Sequence, residues 1–61
     1  MPDLKTLRLE AGLTQLQLAT KCGVVRQTIA MIERGTNKPS VKLAKKLGEI
    51  FGVPWTLFFA D

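Results

Sequence analysis

The order of apolar and polar residues along the chain is helical almost throughout. Apolar residues recur three or four positions apart in short runs, and glycines or prolines separate these runs. Residues at this spacing lie on one face of a helix, whereas a half-buried strand alternates between apolar and polar positions. The pattern predicts five short helices joined by short loops, packed as one compact all-α domain over residues 1–61.

Polar residues and glycines mark the ends of the first two predicted helices. Asp3 is placed to cap the first helix, and Gly12 is placed to end it. Thr14 and Gln17 form a T-x-x-Q capping box, in which each side chain bonds the other residue's backbone amide, so the second helix begins there. The predicted inward positions of the two helices are Leu4, Leu7, Ala11, Leu18, Ala19 and Cys22.

A single glycine separates the second helix from the third, which is predicted over residues 25–34 and ends at Gly35. Ala19 is small enough to let the two helices approach, and Gly23 can adopt the positive φ that a tight turn requires. Residues 15–32 are therefore predicted to form two helices packed across a turn. The predicted core-facing positions after that turn are Val24, Ile29 and Ile32.

The fourth predicted helix begins after the N-cap Ser40 and runs to about residue 51. Its apolar stripe comprises Leu43, Ala44, Leu47, Ile50 and Phe51. Gly48 lies inside this helix at a cost of about 1 kcal/mol relative to alanine, so we expect another helix to cross closely there. Pro54 suits the first turn of a short fifth helix, because the missing N–H is harmless at that position. That helix carries Trp55, Leu57, Phe58 and Phe59.

The composition excludes several kinds of site. The chain has one cysteine and no histidine, which rules out an intramolecular disulfide and a zinc-finger ligand set. Cys22 is predicted to be a small core residue; a redox-sensing thiol, the alternative, would need a basic neighbour to lower its pKa. The carboxylates are scattered and no nucleophile has a base at workable spacing, so we predict no enzymatic activity. We also expect no metal, cofactor or small-molecule ligand.

Charge and hydropathy bear on location and partners. No apolar run approaches the roughly 20 residues that a membrane span needs, and the start of the chain lacks the apolar segment of a signal peptide. With the lone cysteine, this favours a soluble cytoplasmic protein. The net charge of +4 permits binding to a polyanion. Charge alone does not distinguish such a protein from a basic domain that binds nothing anionic.

Several short motifs follow one another in a defined order. They are T-Q at residues 14–15, L-A at 18–19, G-V at 23–24, R-Q-T-I at 26–29, I-E-R-G at 32–35, P-S at 39–40, Leu47 and F-G-V-P at 51–54. Together they resemble the phage repressor/Cro-type, or XRE-like, helix-turn-helix family over nearly the whole chain. The resemblance implies a DNA-binding transcription regulator, expected to be a repressor, that inserts its third helix into the major groove of a palindromic operator as a homodimer. It also implies a prokaryotic or phage-encoded protein that is associated with the nucleoid when bound.

The same resemblance implies which residues read bases. Arg26 can offer two donors to the O6 and N7 of guanine, and Gln27 can pair its amide with the N6 and N7 of adenine. Val25 stands where the family usually has serine or threonine, so we expect it and Ala30 to make apolar contacts, for example with a thymine methyl. The alternative for Arg26 and Gln27 is an ordinary solvated helix face, which the surrounding motifs disfavour.

A second group of residues is expected to contact DNA phosphates. Gln15 lies in the first turn of the second helix, where unpaired N–H groups and the helix dipole attract an anion. Lys45 and Lys46 are instead expected only to keep the fourth helix soluble. The remaining predicted phosphate contacts are Arg34, Asn37, Lys38, Ser40 and Lys42.

Two further expectations concern structure and assembly. The resemblance implies an ion pair between Arg8 and Glu33 that fixes the angle of the third helix; alternatively, Arg8 extends to solvent or to phosphate. Trp55, Leu57 and Phe59 are predicted to form a dimer surface, because so short a fifth helix cannot bury all of its large apolar side chains. The alternative function is a protein-interaction module, such as an antitoxin-like partner, that uses this aromatic surface.

Overall fold

The protein is folded as a small bundle of helices, seen here in a computed structural model that describes residues 3–59. The helices are α1 (Leu4–Glu10), α2 (Gln15–Cys22), α3 (Arg26–Arg34) and α4 (Val41–Phe51), followed by a 3-10 helix (Trp55–Phe59). No strand occurs among these residues, so the prediction of an all-α fold is confirmed. The predicted domain limits, residues 1 and 61, lie outside the described residues.

The C-terminal element corrects the prediction of a fifth α-helix. The chain from Trp55 to Phe59 winds as a 3-10 helix, and the N–H of Leu57 donates to the carbonyl of Pro54 over 3.0 Å. Such i-to-i+3 bonds are typical of short helical pieces, because a turn of this kind closes over fewer residues than an α-helical turn. Five residues after a proline, four of them apolar, are too few to propagate an α-helix.

Side-chain caps begin three of the α-helices as predicted. The N–H of Gln17 donates to Thr14 Oγ1 over 3.0 Å, and the N–H of Thr14 donates to Gln17 Oε1 over 2.8 Å, which confirms the capping box. Asp3 and Ser40 cap α1 and α4 through their side-chain oxygens. The hydrogen bonds from Thr6 lower the pKa of the Asp3 carboxyl. These polar residues therefore set where the helices start.

The turn between α2 and α3 is tight and uses a glycine. Gly23 adopts a φ of 73° and a ψ of 29°, and its N–H donates to the carbonyls of Ala19 and Thr20 in α2. A residue with a Cβ is strained in this left-handed region. The N–H of Val24 then donates to the Ala19 carbonyl over 3.0 Å, and Ala19 is fully buried beneath the turn. The predicted helix–turn–helix geometry of residues 15–32 is confirmed.

One apolar cluster holds the helices together. Leu18, Ile29 and Leu47 are its largest fully buried side chains, from α2, α3 and α4 respectively. Burial raises the pKa of the half-buried Cys22 thiol beside this cluster, an effect that the charge of Lys46 opposes. The other buried apolar residues are Leu4, Ala19, Leu43 and Ala44, and the partly buried ones against them include Leu13, Val24, Ile32, Ile50, Phe51 and Phe58.

One predicted inward position is wrong. Ala11 is exposed, because α1 ends at Glu10 and Ala11 is the C-cap residue, whose N–H bonds back to the helix. A side chain beyond the last helical turn no longer follows the periodicity that placed Leu4 and Leu7 on the inner face.

The segment after α4 folds back across Gly48. A Cβ added to Gly48 would lie 2.8 Å from the carbonyl oxygen of Val53 and 3.2 Å from the Cα of Trp55. The close crossing is therefore confirmed, although the crossing segment is the start of the 3-10 helix. The rings of Trp55 and Phe59 then meet edge to face at 5.9 Å, and Lys45 Nζ lies 5.4 Å from the Trp55 ring centroid. The ring contact stabilises the 3-10 helix internally, and the Gly48 crossing and the Lys45 contact hold it against α4.

Candidate nucleic-acid interface

An open groove of about 550 Å³ runs between α1, α2 and α3. Its lining residues are Lys5, Gln15, Arg26, Gln27, Ala30, Glu33 and Arg34. The structure thus brings three of the predicted base-reading residues together with two of the predicted phosphate-binding residues. Lys5 was not predicted, although its position three residues before Arg8 places both on one face of α1.

The exposed face of α3 supplies most of this groove. Ile29 is fully buried and Ile32 packs against the core, so the opposite face of the helix is turned outward. Arg26 and Ala30 are four residues apart and therefore lie one above the other on the outward face. The burial of two isoleucines thus decides which side chains of α3 are presented to a partner.

A buried ion pair lies at the inner end of the groove. Arg8 Nε lies 2.6 Å from Glu33 Oε2, and Arg8 Nη2 donates to Glu33 Oε1 over 3.2 Å. The two side chains are only 8% and 5% exposed, so Arg8 does not extend into solvent as the alternative expected. Arg8 Nη1 also donates to the carbonyl of Leu13 over 2.8 Å. The bonds with Glu33 raise the pKa of Arg8, so Arg8 stays protonated.

Gln15 joins this ion pair to the outer face of α3. Its Nε2 donates to Glu33 Oε1 over 3.1 Å, and its Oε1 accepts from Arg26 Nη1 over 3.0 Å. Four side chains from three helices therefore form one continuous series of hydrogen bonds. Gln15 was predicted to contact phosphate, and its pairing with both Glu33 and Arg26 had not been predicted.

Val25 occupies the N-cap position of α3 without capping it. Its backbone is extended, with φ of −79° and ψ of 154°, which is close to the conformation of the true cap Thr14 (φ −80°, ψ 165°). No side-chain hydrogen bond closes the first turn of α3, and the Val25 side chain is 69% exposed. The backbone at this position is therefore ready for a capping side chain that the sequence does not supply.

Substitution of Val25 by serine is expected to stabilise the protein by about 1 kcal/mol, since a hydroxyl gains the cap bond and little apolar burial is lost. The unfolding midpoint in urea measures the change. Val41→Ser is the matched control, because Val41 is 51% exposed at the start of α4 and follows an existing cap, Ser40. Equal shifts of the midpoint in the two variants would argue against a capping effect.

The other predicted contact residues lie on the far side of α3. Asn37 and Lys38 are exposed in the loop between α3 and α4, and the Asn37 N–H reaches the carbonyl of Met31 at 3.5 Å. Ser40 and Lys42 line a second groove of about 350 Å³ beside the α2–α3 turn. Ser40 Oγ already accepts the N–H of Leu43 over 3.2 Å. The predicted phosphate contacts are thus spread over both grooves and the loop between α3 and α4.

Comparison with known proteins identifies the fold family. A family model described as helix-turn-helix matches residues 4–58, which include all four α-helices and nearly all of the 3-10 helix. The chain belongs to the XRE-type helix-turn-helix family. Members of this family are DNA-binding transcription regulators. The helix-turn-helix of this chain is the α2–α3 pair with Gly23 between them.

Curated proteins similar to this helix-turn-helix chain come from bacteria and archaea. It is 50% identical over 58 residues to YqaF, an uncharacterised HTH-type transcriptional regulator of Bacillus subtilis, covering 95% of this chain and 76% of that protein. It is 54% identical over 50 residues to the regulator MJ0272 of Methanocaldococcus jannaschii, covering 82% and 76%. The cryptic phage CTXphi transcriptional repressor RstR of Vibrio cholerae is 35% identical over 58 residues, covering 95% and 52%. No solved structure gives a significant match.

The part of the chain that the structure describes shows neither a metal-binding cluster nor a membrane-spanning helix. Residues 3–59 contain no group of three or more His, Cys, Asp or Glu side chains that could hold a metal ion. No helix within the same range is long and apolar enough to cross a membrane.

Proposed function

We propose that this protein is a sequence-specific regulator, acting as a repressor, that binds a palindromic operator in double-stranded DNA with α3 in the major groove. The observation that carries the proposal is the shared outward face of α3, where Arg26, Gln27 and Ala30 line one open groove beside the N-terminus of α2. Repression is supported by the similarity to RstR, which is named as a phage transcriptional repressor.

The exposed side chains of α3 have the chemistry for reading bases. Arg26 is assigned to guanine and Gln27 to adenine, because each can make a bidentate contact with that base in the major groove. Val25 is 69% exposed beside them and suits a thymine methyl, as does Ala30. The proposed base contacts are therefore half polar and half apolar.

Positive charge on both sides of α3 suits the sugar–phosphate backbone. Arg34 and the unpredicted Lys5 line the first groove, and Lys42 lines the second. The one carboxylate in the first groove, Glu33, is already paired with Arg8, so it repels an approaching phosphate little. Phosphate contacts fix the orientation of the protein on the duplex. The full proposed set is Gln15, Arg34, Asn37, Lys38, Ser40 and Lys42, together with Lys5.

The 3-10 helix is proposed to form the surface of a homodimer. Phe58 packs against the core cluster, whereas Trp55, Leu57 and Phe59 of the same short segment are half-buried and do not belong to that cluster. A second copy that covers this segment would bury those side chains. A two-fold axis would then relate the two α3 helices, as a palindromic operator requires. A mass of one chain at high concentration without DNA would count against this dimer.

The same half-buried aromatic side chains favour a second candidate function. A protein partner, as for an antitoxin-like module, could cover the 3-10 helix in place of a second copy. Selection from a random DNA pool separates the two functions, because only a sequence-specific regulator enriches one operator sequence. Binding of operator and random duplexes with equal affinity would support the interaction module.

Selection of bound duplexes from a random pool is the experiment that tests the regulator, and Gln27→Ala is its informative variant. We expect the wild-type protein to enrich two half-sites in inverted orientation. The variant should lose preference at one base pair in each half-site by about 5- to 150-fold, since one bidentate contact is worth about 1 to 3 kcal/mol. Binding of both proteins should weaken steeply with salt.

The matched control for Gln27→Ala is Glu49→Ala, an exposed position on α4 that lines neither groove. It should keep the wild-type operator preference. If Gln27→Ala weakened specific and non-specific binding by the same factor, Gln27 would contact the backbone and the proposed reading of bases by this residue would be wrong.

A further inference from the structure

We propose that Glu33 is a positioning residue for sequence reading: through Gln15 it orients the guanidinium of Arg26 for one base pair of the operator. The inference rests on the proposed function, because it assigns a cause to the specificity of a proposed base-reading residue. Its evidence is the series of hydrogen bonds from Arg8 through Glu33 and Gln15 to Arg26.

The chemistry of the groups gives this series one direction. An ionised carboxylate accepts hydrogen bonds and donates none, so the amide NH₂ of Gln15 has to face Glu33. The Gln15 Oε1 is then turned to the opposite side, where it accepts from Arg26 Nη1. The charge of Glu33 thereby decides that Gln15 presents an acceptor to residue 26, and arginine is a residue with donors alone.

The Arg8–Glu33 end of this series of hydrogen bonds is held rigidly. The Glu33 side chain is 5% exposed and receives two hydrogen bonds from Arg8, whose remaining Nη1 is held by the Leu13 carbonyl. Neither side chain can rotate without leaving a charge buried and unpaired. Gln15 therefore bonds to a fixed oxygen, and the orientation of its own amide is fixed in turn.

Arg26, at the other end of the series, keeps donors that can bind a base. Arg26 is exposed, and its bond to Gln15 uses only Nη1. The edge formed by Nε and Nη2 is left for the O6 and N7 of guanine. An exposed arginine that is held before binding loses less conformational freedom on binding, an effect of about two- to tenfold in affinity. Because the gain applies only where Arg26 finds its base, it appears as discrimination at one base pair.

The test uses Glu33→Gln, which reverses the direction of the series. The side-chain amide introduced at position 33 would present its oxygen to Arg8 and its NH₂ to Gln15, so the Gln15 amide would turn and direct its own NH₂ at Arg26. Two donors would then face each other and the bond to Arg26 would be lost. We expect discrimination at the Arg26 base pair to fall about two- to tenfold, with discrimination at the Gln27 base pair unchanged.

Gln15→Met is the second variant, because loss of the buried ion pair can unfold the Glu33→Gln protein. It keeps Arg8 and Glu33 paired and removes only the amide. It should reduce discrimination at the Arg26 base pair by the same factor, and should have no further effect on that base pair in an Arg26→Ala background. The readout is competition between operators that differ at a single base pair, which a general loss of stability does not alter selectively.

The outcomes separate this inference from the function on which it rests. If Arg26→Ala changes the preference at one base pair but Gln15→Met and folded Glu33→Gln leave that preference intact, Glu33 does not position Arg26 and the inference is wrong. A uniform loss of affinity in Gln15→Met, with discrimination retained, would show a phosphate contact alone and would also overturn it. If Arg26→Ala changes no base preference, the base-reading assignment of Arg26 fails and the inference fails with it.

Discussion

Substitution of Glu33 by alanine is expected to lower the free energy of unfolding by about 3 to 5 kcal/mol, the usual cost of leaving one member of a buried ion pair unpaired. Arg8 is 7% exposed and would keep its charge, with the carbonyl of Leu13 as its remaining acceptor. A chain of this length has a small reserve of stability, so such a loss removes much of it. Equilibrium unfolding in urea measures the effect.

The matched experiment replaces both members of the pair. Arg8→Met with Glu33→Leu removes both charges and keeps similar volumes, so we expect this double variant to be much more stable than Glu33→Ala. A double-mutant cycle built from Arg8→Met, Glu33→Leu and their combination should give a coupling energy of about 1 to 3 kcal/mol. A coupling energy indistinguishable from zero would mean that the contact between Arg8 and Glu33 contributes nothing to stability.

Substitution of Gly48 by alanine is expected to destabilise the protein by about 1 to 2 kcal/mol. Helix propensity alone predicts the opposite, a gain of about 1 kcal/mol. The added Cβ, however, would lie 2.8 Å from the Val53 carbonyl oxygen and 3.2 Å from the Cα and Cβ of Trp55, and none of these atoms moves when a side chain rotates. Overpacking of this kind costs about 1 to 3 kcal/mol and here should exceed the gain.

Thermal or urea unfolding of Gly48→Ala provides the measurement, and tryptophan fluorescence reports the local change because Trp55 lies at the crossing. Glu49→Ala, the exposed neighbour in the same helix, is the control, for which we expect a change within about 0.5 kcal/mol. A Gly48→Ala protein that is more stable than the wild type would mean that the segment after α4 moves aside at little cost.

The features that the sequence predicted well are those that depend on residues near one another in the chain. The capping box of Thr14 and Gln17 involves positions three residues apart, and the left-handed turn at Gly23 depends on a single residue. The crossing at Gly48 was also predictable, because a glycine inside an amphipathic helix needs a neighbour that excludes a side chain. Local chemistry specifies these features before any long-range packing is known.

The features that were missed depend on how separate helices meet. The pairing of Gln15 with both Glu33 and Arg26 joins residues 11 and 18 positions apart, and no periodicity within one helix indicates it. The 3-10 form of the last element follows from its shortness and its packing on α4, whereas its composition suits an α-helix equally well. Assignment of the DNA contacts themselves stays a prediction, because it concerns a partner as well as the chain.

The N-terminal end of α3, which has no side-chain cap, is expected to fray more readily than a capped helix end. Within residues 3–59, the N–H groups of Arg26 and Gln27 donate to no protein acceptor. Helix ends of this kind open at a free-energy cost near zero and exchange their amide hydrogens quickly. The bond from Arg26 to Gln15 holds the side chain while the backbone beneath it stays adaptable. We therefore expect this helix end to adjust to a DNA groove without releasing the arginine that is proposed to read a base.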